Sequence, residues 1–139
     1  MPAPASLLMT ASAAIILFLG TVHVLLTFAG VKLHPRDPLL RAAMEAVPLV
    51  LTRQTTLWRA WIGFNASHGQ GAILFGLVFG YLALRAPTLL FGSIFLRALG
   101  LAALAGWLAL ARRYWFRAPV RGVALALLLY LAACVLAVC

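Results

Sequence analysis

The chain has 139 residues, of which 65% are apolar and 9% are charged, and its formal net charge is +9 at pH 7. Soluble domains carry roughly 45–50% apolar and about 25% charged residues. A water-soluble fold of this size is therefore excluded, because it could not bury so much apolar surface. The length is that of one domain, residues 1–139.

Four apolar stretches are long enough to cross a bilayer as helices, since a span requires about 20 apolar residues. They cover about residues 7–31, 57–84, 88–111 and 120–139. Helices are expected because backbone amides cannot stay unpaired in hydrocarbon. The last two connections are short, which favours antiparallel neighbours. The sequence thus predicts an all-α fold, a four-transmembrane-helix up-down bundle.

The connection between the first two spans is longer and predicts a short amphipathic helix. Asp37 suits its N-cap and Pro38 its first position, and Pro48 would end it. Arg41 and Glu45 share its polar side. Apolar residues recur on the other side at helical spacing: Leu39, Leu40, Ala43, Met44 and Val47. We expect this helix to lie at the membrane surface or beneath the bundle.

Basic residues are concentrated in the first and third connections. Only Arg85 marks the opposite side, and Arg97 lies within a span. By the positive-inside bias the two basic connections are cytoplasmic and both termini lie outside. A nucleic-acid partner is not expected, because no basic folded face is available. The nine loop cations are Lys32, Arg36, Arg41, Arg53, Arg59, Arg112, Arg113, Arg117 and Arg121.

Polar residues inside spans are costly and usually face the protein interior. The first span carries His23. In the second span, at 100° per residue, Trp61, Asn65 and His68 fall within about a third of the circumference. His68 lies about eleven residues into its span, roughly 16 Å. We expect these four side chains to form an intramembrane ligand site.

Small residues continue the same face of the second span. Gly69 is followed three residues later by Ala72, and Gly76 and Gly80 then continue at every fourth position. Small residues at this spacing let a second helix approach closely. They predict a helix-packing stripe, facing either another helix of this chain or a partner subunit.

Arg97 is the most unusual residue of the third span. Counted from the outer end of that span, it lies about nine residues in, roughly 14 Å. A guanidinium keeps its proton, and no span contains a carboxylate. Three outcomes remain open: Arg97 reaches a headgroup, it bonds helix carbonyls or polar side chains, or it holds an anion. The third would make it part of the ligand site.

Several roles also remain open for His23 and His68. The first is hydrogen bonding between helices. The second is proton transfer, with His68 as the candidate catalytic acid or base, since histidine titrates near neutral pH. The third is axial ligation of a b-type haem between the two imidazoles. No cofactor or metal is otherwise expected, because the cysteines and acids form no metal-type cluster.

The stretch TRQTTLWRAWIGFNASHGQGAILFG, residues 52–76, resembles the signature region of a family of small bacterial four-helix integral membrane proteins. GTVHVLLTF, residues 20–28, resembles the first-span pattern of that family, and the resemblance covers roughly residues 17–83. It implies a four-helix fold in the bacterial inner membrane. It implies no activity.

The leading hypothesis is therefore a small polytopic membrane protein without catalysis. It would be an accessory subunit or a binder of a lipid-like or anionic ligand, with membrane lipids, a membrane subunit or further copies of itself as partners. The alternatives are a membrane enzyme acting on a quinone, isoprenoid or sterol-like substrate through His68, an oligomeric transporter, and a haem protein.

Overall fold

A computed structural model describes residues 3–138, which form six α-helices. Among these residues, α1, α3, α5 and α6 are long and apolar enough to cross a membrane. The fold of a multi-pass, all-α membrane protein is thereby confirmed. Cys139, the last residue of the predicted fourth span, lies outside the described residues. The helices are α1 (Ala3–Phe28), α2 (Pro38–Ala46), α3 (Leu57–Arg85), α4 (Pro87–Gly92), α5 (Ile94–Tyr114) and α6 (Arg117–Val138).

The chain divides into two compact units. The four-helix unit contains residues 3–19 and 72–138, and the loop unit contains residues 20–71. The boundaries fall inside α1 and α3, so each unit includes one part of both helices. The organisation of residues 1–139 as a single domain stays a prediction.

The core of the four-helix unit is built around aromatic side chains. Phe75 and Phe79 of α3 stack with ring centroids 4.4 Å apart. Phe75 also meets Trp107 of α5 edge to face at 5.5 Å, and Phe79 meets Tyr130 of α6 at 6.0 Å. Such pairs contribute about 0.5–1.5 kcal/mol each beyond their buried area. These ring contacts therefore join α3, α5 and α6.

The helices of this unit run antiparallel to their neighbours. The Ser12 hydroxyl of α1 donates to the Ala126 carbonyl of α6 at 2.7 Å. Leu19, seven residues after Ser12 in α1, packs against Gly122, which lies four residues before Ala126 in α6. Phe79 lies against Gly100, whereas the earlier Phe75 meets the later Trp107. The predicted up-down order is confirmed.

Much of the apolar surface of the four-helix unit points outward. Leu7 and Phe18 of α1 are each 66% exposed, Ile94 of α5 is 76% exposed, and Leu128 of α6 is 64% exposed. Contiguous apolar surface of this kind is not tolerated on a monomeric soluble protein. The outer face of the bundle is therefore suited to lipid.

The third span differs from the single helix expected over residues 88–111. A break at Ser93 separates α4 from α5, and the Ser93 backbone is extended, with φ −88° and ψ 111°. The Ser93 hydroxyl accepts a hydrogen bond from the Leu96 amide at 3.2 Å. Serine favours such N-cap positions because its oxygen satisfies an amide that has no partner within the helix. The membrane-length helix thus begins at Ile94.

The loop unit contains the predicted amphipathic helix, α2. The Asp37 carboxylate caps it by accepting from the Leu39 amide at 2.9 Å, and Arg41 pairs with Glu45 at 2.6 Å. No side chain of α2 is buried, and Leu39 is 80% exposed. The helix is therefore confirmed, and its apolar side is largely exposed, with Met44 partly buried.

Gly76 provides a test of the packing between α1 and α3. A Cβ atom there would lie 2.6 Å from Leu17 Cβ and 2.8 Å from the Ala13 carbonyl oxygen. The Ala13 oxygen is part of the α1 backbone and Leu17 Cβ is bonded directly to it, so neither atom can move without moving α1. We expect Gly76→Ala to lower the free energy of unfolding by about 1–3 kcal/mol, measured by denaturant titration in detergent micelles.

Gly71→Ala is the matched control, because a Cβ at Gly71 meets nothing within 4 Å. Alanine is the better helix former by about 1 kcal/mol, so this variant should be as stable as the parent or more so. Equal effects of the two substitutions would contradict close packing at Gly76.

Candidate functional site

Within the loop unit, α1 and α3 approach each other closely at Gly69. A Cβ atom at Gly69 would lie 2.6 Å from Val24 Cγ2 and 3.1 Å from the Gly20 carbonyl oxygen. Only glycine permits this approach without displacing the α1 backbone. Asn65, one turn before Gly69, is thereby brought within hydrogen-bond reach of His23, which lies between Gly20 and Val24 on α1.

His23 and Asn65 form the central contact of this helix pair. His23 Nε2 lies 3.1 Å from Asn65 Oδ1, while Asn65 Nδ2 donates to the Trp61 carbonyl at 2.8 Å. The second bond fixes the amide so that its oxygen faces His23. An amide oxygen only accepts, so His23 must carry a proton on Nε2.

His68 completes what we call the imidazole cluster, which consists of His23, Asn65 and His68. The rings of His23 and His68 meet edge to face, with centroids 5.1 Å apart and an interplanar angle of 81°. Both rings are half-buried. The cluster therefore presents imidazole nitrogens and an amide at a partly open face of an otherwise apolar helix pair.

Trp61 lies one turn before Asn65 and connects α3 to the segment that follows α1. Its indole Nε1 donates to the Leu33 carbonyl at 3.0 Å, and its side chain remains 42% exposed. The Thr27 hydroxyl donates to the His23 carbonyl at 2.7 Å. These bonds hold the end of α1 beside the start of α3 and position the imidazole cluster.

Arg97 belongs to the four-helix unit and lies in the first turn of α5. Only three residues separate it from the start of that helix, a rise of about 4.5 Å, so it is closer to the end of a span than the sequence indicated. Its Nε is buried and has no hydrogen-bond partner among the described residues. That Arg97 shares a site with the imidazoles stays a prediction.

The glycine stripe of α3 lies against α1 in both units. Gly69 contacts α1 within the loop unit, and Gly76 does so within the four-helix unit. A Cβ at Gly80 would make an ordinary contact with Ala13 at 3.7 Å, and Ala72 is buried. The stripe is therefore used within the chain itself.

Sequence reasoning missed a second cluster, formed around Arg41 of the loop unit. Its guanidinium carbon lies 3.3 Å from the centre of the Trp58 ring. Its NH1 group donates to His34 Nδ1 at 2.9 Å, and its NH2 group donates to Glu45 at 2.6 Å. The Arg41–Glu45 spacing of four was a local signal. The His34 and Trp58 contacts depend on the path of the loop and have no such signal.

Two buried polar contacts of the four-helix unit were also missed. Tyr130 is 1% exposed and donates from its hydroxyl to the Arg97 carbonyl at 2.9 Å. Ser12 is fully buried and bonds α6. Their positions on the inward faces of α6 and α1 were the available signal.

No protein-family model matches the chain, and neither a curated protein nor a solved structure matches it. The resemblance of residues 17–83 to small bacterial four-helix membrane proteins therefore stays a prediction.

The amide of Asn65 provides a test of the imidazole cluster. Asn65→Leu keeps a similar volume but removes the bonds to His23 and to the Trp61 carbonyl. Polar contacts between membrane helices contribute about 0.6–2 kcal/mol. We therefore expect a loss of that size in the free energy of unfolding. Ser67→Ala is the control, because the Ser67 hydroxyl bonds only the Phe64 carbonyl of its own helix. An unchanged stability of Asn65→Leu would contradict a structural role of the amide.

Arg97 provides a separate test, because lysine keeps the charge but has a methylene in place of Nε. A buried polar atom without a partner costs about 1–3 kcal/mol. Arg97→Lys should therefore unfold at the same denaturant concentration as the parent or at a higher one. A clear loss of stability would show that Nε has a partner in the membrane. Arg85→Lys, at the exposed end of α3, serves as the control.

Proposed function

We propose that the protein is a small polytopic membrane protein that binds a lipid-like ligand, whose polar group is held by the imidazole cluster. The observation that supports this most is the fixed His23–Asn65 pair, 3.1 Å apart, with His68 edge-on beside it. Three such side chains on two apolar helices are costly to place in lipid. Contact between these side chains and the polar group of a ligand would offset that cost.

The chemistry of the cluster suits a neutral or anionic oxygen group. A neutral imidazole offers one N–H donor and one acceptor nitrogen. His23 uses its N–H on Asn65, so it could only accept from a ligand hydroxyl, and the donor to a ligand carbonyl or carboxylate would have to be His68. Apolar side chains of the same helix segments remain open for the apolar body of a ligand. Leu25 of α1 is 59% exposed and Phe64 of α3 is 73% exposed.

The proposal also covers the orientation of the protein in the membrane and the role of Trp61. By their charge, the basic connections would lie on the cytoplasmic side of a bacterial inner membrane, with both termini outside. Trp61 would border the ligand. An accessory role beside another membrane subunit is compatible with the same site.

An enzyme acting on a quinone, isoprenoid or sterol-like substrate is the second candidate. The observation in its favour is that the Asn65 amide fixes the tautomer of His23, as an orienting group does for a general acid or base. His68 would then exchange the proton with the substrate. Ligation of a haem by the same two imidazoles would require the rings to separate, since they now contact each other directly.

The binding proposal is tested by mass spectrometry of lipids that stay bound during purification. His23→Phe combined with His68→Phe keeps both rings but removes their nitrogens. We expect a lipid-like compound enriched over the bulk lipids in the parent, and about tenfold less of it in this variant, the loss expected for roughly one hydrogen bond to a ligand.

Gln70→Leu is the matched control, because it removes an exposed polar group from the same helix and should leave retention unchanged. Circular dichroism and the unfolding midpoint of each variant distinguish loss of binding from loss of folding. Absence of any enriched compound from the parent, or equal retention by the folded double variant, would refute the proposal. Turnover of the bound compound that is lost with His68→Phe would favour the enzyme.

A further inference from the structure

A cavity of about 400 Å³ lies where α5 ends and α6 begins, within the four-helix unit. It is the corner between two helices that are long enough to cross a membrane. Three arginines and three apolar side chains line it: Arg112, Trp115, Phe116, Arg117, Val120 and Arg121.

The three guanidiniums of this cavity have no acidic counterpart in their unit. The two acids of the chain are Asp37 and Glu45, and both belong to the loop unit. Unit charges a few ångströms apart repel one another even near a solvated surface. All three arginines are exposed to solvent, and an anion bound between them would relieve the repulsion that remains.

The dipoles of the two helix ends also favour an anion at this position. Arg112 lies in the last turn of α5, where a cation is favourable for the helix dipole. Arg117 and Arg121 lie at the start of α6, where a cation is unfavourable and an anion is favourable. They are also one turn apart, so their side chains share a face. The arrangement costs helix stability unless a negative group lies between them.

The apolar half of the cavity indicates what carries the negative group. Phe116 is 71% exposed, and Trp115 and Val120 line the same cavity. Tryptophan and other aromatic side chains are enriched at the headgroup level of membranes. Basic pockets at the ends of membrane helices bind anionic headgroups. A small soluble anion would leave the exposed ring of Phe116 in contact with water.

We propose that the cavity between α5 and α6 holds the phosphate group of an anionic phospholipid. The phosphate lies among Arg112, Arg117 and Arg121, and the glycerol and the upper acyl chains contact the apolar lining. The residues of this site are not those of the imidazole cluster. It should be unaffected by His23→Phe combined with His68→Phe, so the two proposals can fail independently.

The test uses the full-length protein in nanodiscs of phosphatidylcholine that contain a minor fraction of phosphatidylglycerol. Native mass spectrometry counts the phosphatidylglycerol molecules that each protein retains on release from the disc. An arginine near a membrane surface strengthens anionic-lipid binding about fivefold. Arg112→Gln combined with Arg121→Gln should therefore weaken retention by about 25-fold.

Arg85→Gln combined with Arg113→Gln is the matched control. It removes the same charge from exposed helix-end positions, and Arg113 is the direct neighbour of Arg112, yet neither residue lines the cavity. This variant should retain phosphatidylglycerol as the parent does. Unfolding midpoints in pure phosphatidylcholine confirm that both variants fold.

The outcomes separate the sources of phosphate. Retention of phosphatidylglycerol that inorganic phosphate and glycerol phosphate do not displace supports the proposal. Displacement by inorganic phosphate at comparable concentration would overturn the assignment to a lipid. Equal weakening in the control variant, or none in the cavity variant, would overturn the site itself.

Discussion

Polar groups in four apolar helices have no water to bond, so each must find a partner within the protein. The side chains that are buried or half-buried follow this constraint by donating to main-chain carbonyls. Ser12 donates to Ala126, Tyr130 to Arg97, and Asn65 to Trp61. Because a carbonyl has two lone pairs, it can accept such a bond without losing its place in a helix. The bonds of Ser12 and Tyr130 join helices directly, whereas Asn65 bonds its own helix and contacts α1 through the His23 imidazole.

Close approach is what makes those bonds reachable. Gly76 lets α1 and α3 pack so tightly in the four-helix unit that a methyl group would strike the α1 backbone. Gly69 has the same effect in the loop unit, beside the His23–Asn65 bond. Without a hydrophobic driving force between helices in lipid, contact of this kind and interhelical hydrogen bonds supply the attraction. The small residues and the imidazole cluster therefore act together to hold α1 against α3.

The sequence predicted features that depend on composition and local spacing. Four spans follow from the length of the apolar runs, and α2 follows from its periodicity and its Asp37 cap. The break at Ser93 was missed because it lies within an apolar run, although Gly92 beside a capping serine was a signal. The missed break also explains why Arg97 looked deep within a span. The pairing of Arg41 with Trp58 could not be foreseen, since it depends on how residues 29–56 are routed.

The excess of arginines over acidic side chains in the four-helix unit favours contact with anionic lipid. Both acids of the chain are used locally, because Asp37 caps α2 and Glu45 pairs with Arg41. The four-helix unit is left with six arginines and no carboxylate side chain. No acidic side chain of this unit can neutralise those cations, and phospholipid headgroups are anions within reach of a membrane helix end. Under the proposal of a headgroup site, lipid would be both the solvent of the apolar faces and a ligand of the basic helix ends, and the stability of the fold would then depend on the composition of the bilayer as well as on its presence.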